Sequence, residues 1–121
     1  MPISGSLAPC PNSPNCVSSQ EPDTDHYIEP LIYSGSHTGA QGRLRTIVER
    51  QPRMRIVTDK DGYFHIEVTS RIFGFIDDLE FQFDYALQCI HVRSASRTGY
   101  WDLGVNRKRI ETIRTHFLQS S

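Results

Sequence analysis

Between residues 93 and 109 the chain gathers Arg93-Ser94-Ala95-Ser96-Arg97, then Asp102 and Asn106, then Arg107-Lys108-Arg109. Guanidiniums and hydroxyls at that density supply charge-assisted donors for a phosphate, sulfate or carboxylate, and a helix starting within the segment would add unpaired backbone N–H groups. The chemistry this predicts is anion binding, with Arg93 and Arg97 as donors, Ser94 and Ser96 as hydrogen-bond partners, and Asp102 orienting an arginine. It is not a phosphate loop, since neither G-x-x-x-x-G-K nor G-x-G-x-x-G occurs. A structural reading competes with it. In that reading Arg93 or Arg97 pairs with Asp102 or with Asp77, Asp78 and Glu80, Asn106 caps a helix, and Gly99 and Gly104 serve only their backbone angles.

A second constellation is acidic. Asp77, Asp78, Glu80 and Asp84 could support metal-assisted hydrolysis, with His65 or His91 as further ligands, because alternate residues of a strand lie roughly 7 Å apart on one face. A solvated strand face has the same pattern. Nucleophilic catalysis has less support: there is no G-x-S-x-G elbow, and His26 near Cys10 and Cys16 lies in a proline-rich arm that would not hold a dyad. The basic stretch at residues 105–118, with Tyr100 and Trp101 upstream, could stack single strands. No nucleic-acid motif accompanies it, and a net charge of −1 argues against nucleic acid as a partner.

These residues need elements to position them. Six of seven prolines fall in the first thirty residues, among Ser, Asn, Gly and Asp, which predicts an arm of loop rather than helix or sheet over residues 1–37. The arm carries Glu21, Asp23, Asp25 and Glu29 and precedes a basic stretch at residues 43–55, so charge contrast is expected to help hold it against the domain. Thr38 to Gln41 fits a capping box, and Ala40, Leu44, Ile47 and Val48 recur at helical spacing until Pro52, predicting a helix over residues 39–51. Asp61-Gly62 between two β-branched, aromatic runs predicts a hairpin of strands 54–60 and 63–72. Leu79, Phe81, Phe83 and Tyr85 alternate with Asp78, Glu80, Gln82 and Asp84, giving a strand with one buried face. A fourth strand is expected at 89–95, and a helix at 105–118 with Ile110, Ile113 and Phe117 on its apolar stripe.

The expected fold is therefore α+β: a two-layer sandwich in which a four-stranded antiparallel meander is covered by two helices, in the order α-β-β-β-β-α, with the proline-rich arm packed on residues 38–121. At 121 residues and 37% hydrophobic content this is one domain with a core of ordinary size. No apolar run is long enough to span a bilayer.

Three cysteines cannot all pair within the chain. The C-x5-C spacing of Cys10 and Cys16 allows a disulfide if a turn brings them together, and that bond would need an oxidising compartment. Cys89 on a strand reads as a small buried hydrophobe, and no second cysteine pair supplies a zinc ligand set, so neither metal nor cofactor is expected. The residues before Cys10 lack the apolar and basic regions of a secretory signal. The chain as it stands reads as cytoplasmic with reduced thiols, or as a trimmed exported protein.

Several stretches together carry a resemblance. Cys10-Pro11-Asn12-Ser13-Pro14-Asn15-Cys16-Val17-Ser18-Ser19, His26 with Ile28-Glu29-Pro30-Leu31, Phe75-Ile76-Asp77-Asp78-Leu79-Glu80-Phe81, and Ile90 through Arg97 on to Asp102-Leu103-Gly104-Val105-Asn106-Arg107-Lys108-Arg109-Ile110-Glu111 resemble the DUF1499 family over about residues 7–118. The resemblance implies no particular reaction. It implies relatives in bacteria, including cyanobacteria, and in chloroplasts, some with membrane or export segments, hence a periplasm or thylakoid lumen if such a segment has been removed. It marks Cys10, Cys16, Asp77, Asp78, Arg93, Ser94, Ser96, Arg97, Asp102, Asn106 and Arg109 as motif positions, and Trp101 as a departure where a smaller residue is expected.

The functional expectation is a small binding or accessory protein rather than an enzyme. It would take an anionic ligand or a protein partner through Arg93, Ser94, Ser96, Arg97, Asp102, Asn106 and Arg109. A metal-assisted hydrolase using Asp77, Asp78 and Glu80, and a purely structural subunit, are the alternatives.

Overall fold

A computed structural model describes residues 6–71, 74–99 and 104–120. In chain order the elements are β1 (Cys16–Ser18), β2 (Leu31–Ile32), α1 (His37–Glu49), β3 (Met54–Lys60), β4 (Tyr63–Thr69), β5 (Ile76–Asp84), β6 (Cys89–Ser96) and α2 (Val105–Gln119). β3 to β6 form the expected meander, but the sheet has six strands: its order is β1-β6-β5-β4-β3, and β2 also pairs with β6. All these strand pairings are antiparallel.

The correction comes from the arm, which is not all loop. Cys16, Val17 and Ser18 pair with Ala95, Ser94 and Arg93, while Leu31 and Ile32 pair with Ile90 and Cys89. A strand as short as β1 or β2 is too brief for alternation to show above the prolines around it, yet each satisfies edge N–H and C=O groups of β6. The arm also places Val17, Ile28, Leu31 and Tyr33 in the core. Among the described residues no ion pair joins an arm carboxylate to the basic stretch at residues 43–55. Arg107 and Arg114 of α2 donate instead to backbone carbonyls, of Asp25 and Tyr27 and of Glu29 and Pro30 respectively.

Local chemistry accounts for the remaining elements. Gly62 takes φ +83° at the tip of the β3–β4 hairpin, a conformation glycine reaches without steric cost. α1 starts two residues earlier than the capping-box reading predicts: Ser36 Oγ accepts from Gly39 N–H at 3.0 Å. Gln41 then has other work, donating to the Lys60 carbonyl and accepting from Gly62 N–H, so it ties α1 to the hairpin. Along β5, Asp77, Leu79, Phe81 and Phe83 are buried under the helices while Asp78, Glu80, Gln82 and Asp84 lie on the other face. Tyr85 falls beyond the strand end and is exposed, so it does not extend the buried face. Both helices cover the same side of the sheet, α1 through Ala40, Leu44, Ile47 and Val48, α2 through Ile110, Ile113 and Phe117, over Phe64, Ile66, Leu79, Phe81, Ile90 and Val92.

Candidate functional site

The alternation of a strand decides where the arginine-serine segment goes. Along β6, Ser94 and Ser96 face the helices, whereas Arg93 and Arg97, at odd positions, emerge on the outer face, the side opposite the helices. One predicted cluster thus becomes two.

On the outer face the arginines meet carboxylates from β4 and β5. Arg97 Nε and Nη2 donate to the two oxygens of Asp78, each at 2.8 Å, and Nη2 also reaches Glu67 at 2.7 Å. His65 Nε2 lies 2.7 Å from Asp78, and Arg55 donates to Glu67 at 2.6 Å. Arg93 stands 3.6 Å from Glu80 and donates to the carbonyl of Pro9. The Arg97 guanidinium holds the Asp78 carboxyl below its ordinary range against the opposing effect of burial, with His65 adding to the depression. Arg97 and Arg55 do the same for Glu67. Burial and the Glu80 carboxylate keep the Tyr63 phenol firmly protonated. With two carboxylates on Nε and Nη2, the Arg97 charge is already balanced, which weakens its pull on an added anion.

On the helix side the polar groups are buried and joined. Asn106, wholly buried in the first turn of α2, accepts from Ser94 Oγ at 2.6 Å and donates to Ser96 Oγ and to the Asn15 carbonyl, both at 3.1 Å. It does not cap the helix. Gly104, at φ +78°, holds that position. Arg109, one turn on, donates to Asn106 at 2.7 Å, to Ser94 at 3.0 Å and to Asp77 at 2.8 Å. Asn15 extends the network into the arm: its side chain donates to the Gly99 carbonyl and accepts from Ser13 Oγ, and its carbonyl also accepts from Ser96 N–H. Cys10 and Cys16 form a disulfide that closes this loop. Asp102 and Trp101 lie outside the described residues.

Arg109 and Asp77 also line a cleft of about 430 Å³ between α2 and the β3–β4 end of the sheet. Its walls include Pro52, Met54, Val68, Val105 and Ile113, and Arg53 and Arg71 stand at it. Among the described residues neither Arg53 nor Arg71 has an ion-pair partner. The sequence reading missed Arg53, Arg71 and Asn15. In the sequence Arg53 is one of several arginines in a basic stretch, and Asn15 is a residue of the Cys10–Cys16 motif with no role attached. The acidic constellation is divided as well: Asp77 faces the helices and bonds Arg109, while Asp78 and Glu80 face outward.

A two-layer α+β domain, its arm closed by a disulfide and stitched into the sheet edge, with buried motif residues knitting arm, β6 and α2 together, is the class these features define. The family model for the proteins of unknown function DUF1499 matches residues 6–117, nearly the whole chain, and the chain belongs to that family. No curated protein and no solved structure matches it.

Proposed function

We propose that this domain is a binding module for a small amphipathic anion, a carboxylate or phosphate borne on a short apolar chain, held in the cleft beside Arg109. The observation that supports this reading is the lining of the cleft. Arg53, Arg71 and Arg109 line it with one acid, Asp77, and because Asp77 already holds Arg109, Arg53 and Arg71 are the donors left for an anion, beside apolar walls from both layers. Such a lining rewards a ligand with an anionic head, through charge-assisted hydrogen bonds, and an apolar body, through removal of its surface from water. Within the motif segment, Ser94, Ser96 and Asn106 position Arg109, while Arg93 and Arg97 brace the outer face of the sheet. Hydrolysis at Asp77, Asp78 and Glu80 is disfavoured, because the three do not share a face and Asp77 and Asp78 already bind arginines. The Cys10–Cys16 disulfide favours an oxidising compartment, a periplasm or thylakoid lumen, over the cytoplasm. No helix among the described residues is long and apolar enough to cross a membrane.

The test is calorimetric titration with octanoate and octyl phosphate. Saturable binding of at least one probe is expected, weakened about tenfold for each guanidinium removed in Arg53→Gln and Arg71→Gln, and unchanged in Arg97→Gln. Absence of binding, or equal binding by the Arg53→Gln/Arg71→Gln double variant, overturns the reading.

A further inference from the structure

At the far end of the β5–β6 ladder from the cleft, Asp84 and Cys89 are direct cross-strand partners and His91 lies two residues along β6, on the same outer face as both. One ligand atom from each of the three side chains lies within 4.8 Å of the others, with Cys89 Sγ 3.9 Å from His91 Nε2. We propose that Asp84, Cys89 and His91 form a three-ligand site for a zinc-class divalent cation. The geometry is near what such an ion needs. With Zn–S about 2.3 Å and Zn–N about 2.0–2.1 Å at a tetrahedral angle, sulfur and nitrogen stand about 3.6 Å apart, so that pair needs a few tenths of an ångström of closure, and the Asp84 carboxylate, within 4.8 Å, closes by about 1 Å through side-chain rotation. A thiolate, an imidazole and a carboxylate are the donor set that selects zinc over magnesium or calcium, and three protein ligands leave a fourth position open.

The imidazole is held for this task. Ser19 Oγ, buried just after β1, sits 3.0 Å from His91 Nδ1 and itself accepts from Val92 N–H at 2.9 Å. When Nδ1–H donates to that oxygen, the lone pair of Nε2 is directed to Cys89, the arrangement in which a second-shell partner fixes the tautomer of a ligating histidine. Coordination takes the proton off the Cys89 thiol, releases it to solvent and leaves the thiolate on the metal. The site is separate from the cleft and does not depend on it.

Cobalt(II) is the probe, added to the whole chain with its disulfide intact so that Cys10 and Cys16 offer no thiol. A thiolate-to-cobalt charge-transfer band in the near ultraviolet, with visible d–d absorption, is expected at one equivalent and should disappear when zinc is added. Cys89→Ser removes the charge-transfer band. His91→Gln, at a half-buried position that threatens folding less, lowers cobalt affinity and changes the d–d spectrum. Ser19→Ala keeps the charge-transfer band but weakens cobalt binding about tenfold, the effect of losing a second-shell partner. A wild-type protein without the band, a Cys89→Ser protein that retains it, or a folded His91→Gln protein with unchanged affinity and spectrum overturns the proposal.

Discussion

Arg109 of α2 and Asp77 of β5, 32 positions apart in the chain, meet at 2.8 Å with side chains only 11% and 12% exposed. The pair fixes the N-terminal half of α2 over the start of β5, and Arg109 is further satisfied by Asn106 and Ser94. Removing one member leaves the other as an uncompensated buried charge. Asp77→Ala is therefore expected to cost about 3 kcal/mol, and Asp77→Ala/Arg109→Met to recover much of that loss, because the apolar replacement removes the orphaned guanidinium. Urea unfolding of the two variants measures both values. Equal stability of the single and double variants would show that the pair carries no such burden.

The contrast between Arg109 and Arg97 explains what was legible in the sequence. Period-2 alternation on β5 and 3.6-residue spacing on α1 and α2 mark Leu79, Phe81, Ile110 and Phe117 as core residues from sequence alone, and all four are buried. The motif around Arg93 is legible as polar and dense, and strand alternation alone puts Arg93 and Ser94 on opposite faces; which groups each face meets depends on the register with β5 and on where α2 lies, and neither is written in the segment. Cys16 to Ser18 was hidden for another reason. Its pairing with β6 spans some 75 to 80 positions, and local propensity around Pro11 and Pro14 points to loop. Arg53 and Arg71 are neighbours through the β3–β4 hairpin, which the Asp61-Gly62 signal predicts; the cleft they line also needs Val105, Arg109 and Ile113 of α2, more than thirty positions further on.

The disulfide loop that carries Asn15 supports the arm's pairing with β6. Cys10 and Cys16 are six positions apart, so the loop they close is short and the chain-entropy gain is modest, about 2 kcal/mol. Cys10→Ala/Cys16→Ala is expected to lower stability by that amount in non-reducing buffer, and the wild type in reducing buffer should fall to the variant's level. Amide exchange should localise the loosening to Cys16–Ser18 and their β6 partners. Uniformly accelerated exchange across the sheet would contradict it.

Gly62 at the β3–β4 turn tests the packing of the hairpin against the β5 end. Its φ of +83° strains any L side chain, and a Cβ placed there would stand 2.6 Å from Tyr85 Oη. Gly62→Ala should cost about 1–2 kcal/mol from the backbone alone, plus whatever Tyr85 must give to move aside. In a Tyr85→Ala background only the backbone part should remain. Thermal unfolding of the four proteins in this cycle measures the difference, and strict additivity would remove Tyr85 from the account.

The outer ladder makes a pH prediction whose sign follows from Asp78. Its carboxyl is depressed below 3.8, chiefly by Arg97, so its contribution to stability is fully present above the ordinary carboxylate range and is lost as pH falls through the depressed folded value. Glu67, depressed first by Arg97 and then by Arg55, behaves the same way from its own value of 4.5. Arg97→Gln removes the leading cause for both, so their folded values should return toward the unfolded ones. The stability gap between wild type and Arg97→Gln should then be largest near neutrality, begin to narrow as pH falls below about 5, and close once both carboxyls are protonated. Because the Arg97 side chain is 41% exposed, the same gap should also shrink in high salt at neutral pH. Denaturation series from pH 7 to pH 2, at low and high ionic strength, read both trends. A gap that stays constant down to pH 2 would mean that Arg97 stabilises the sheet by packing its stem over the strands rather than by its charge.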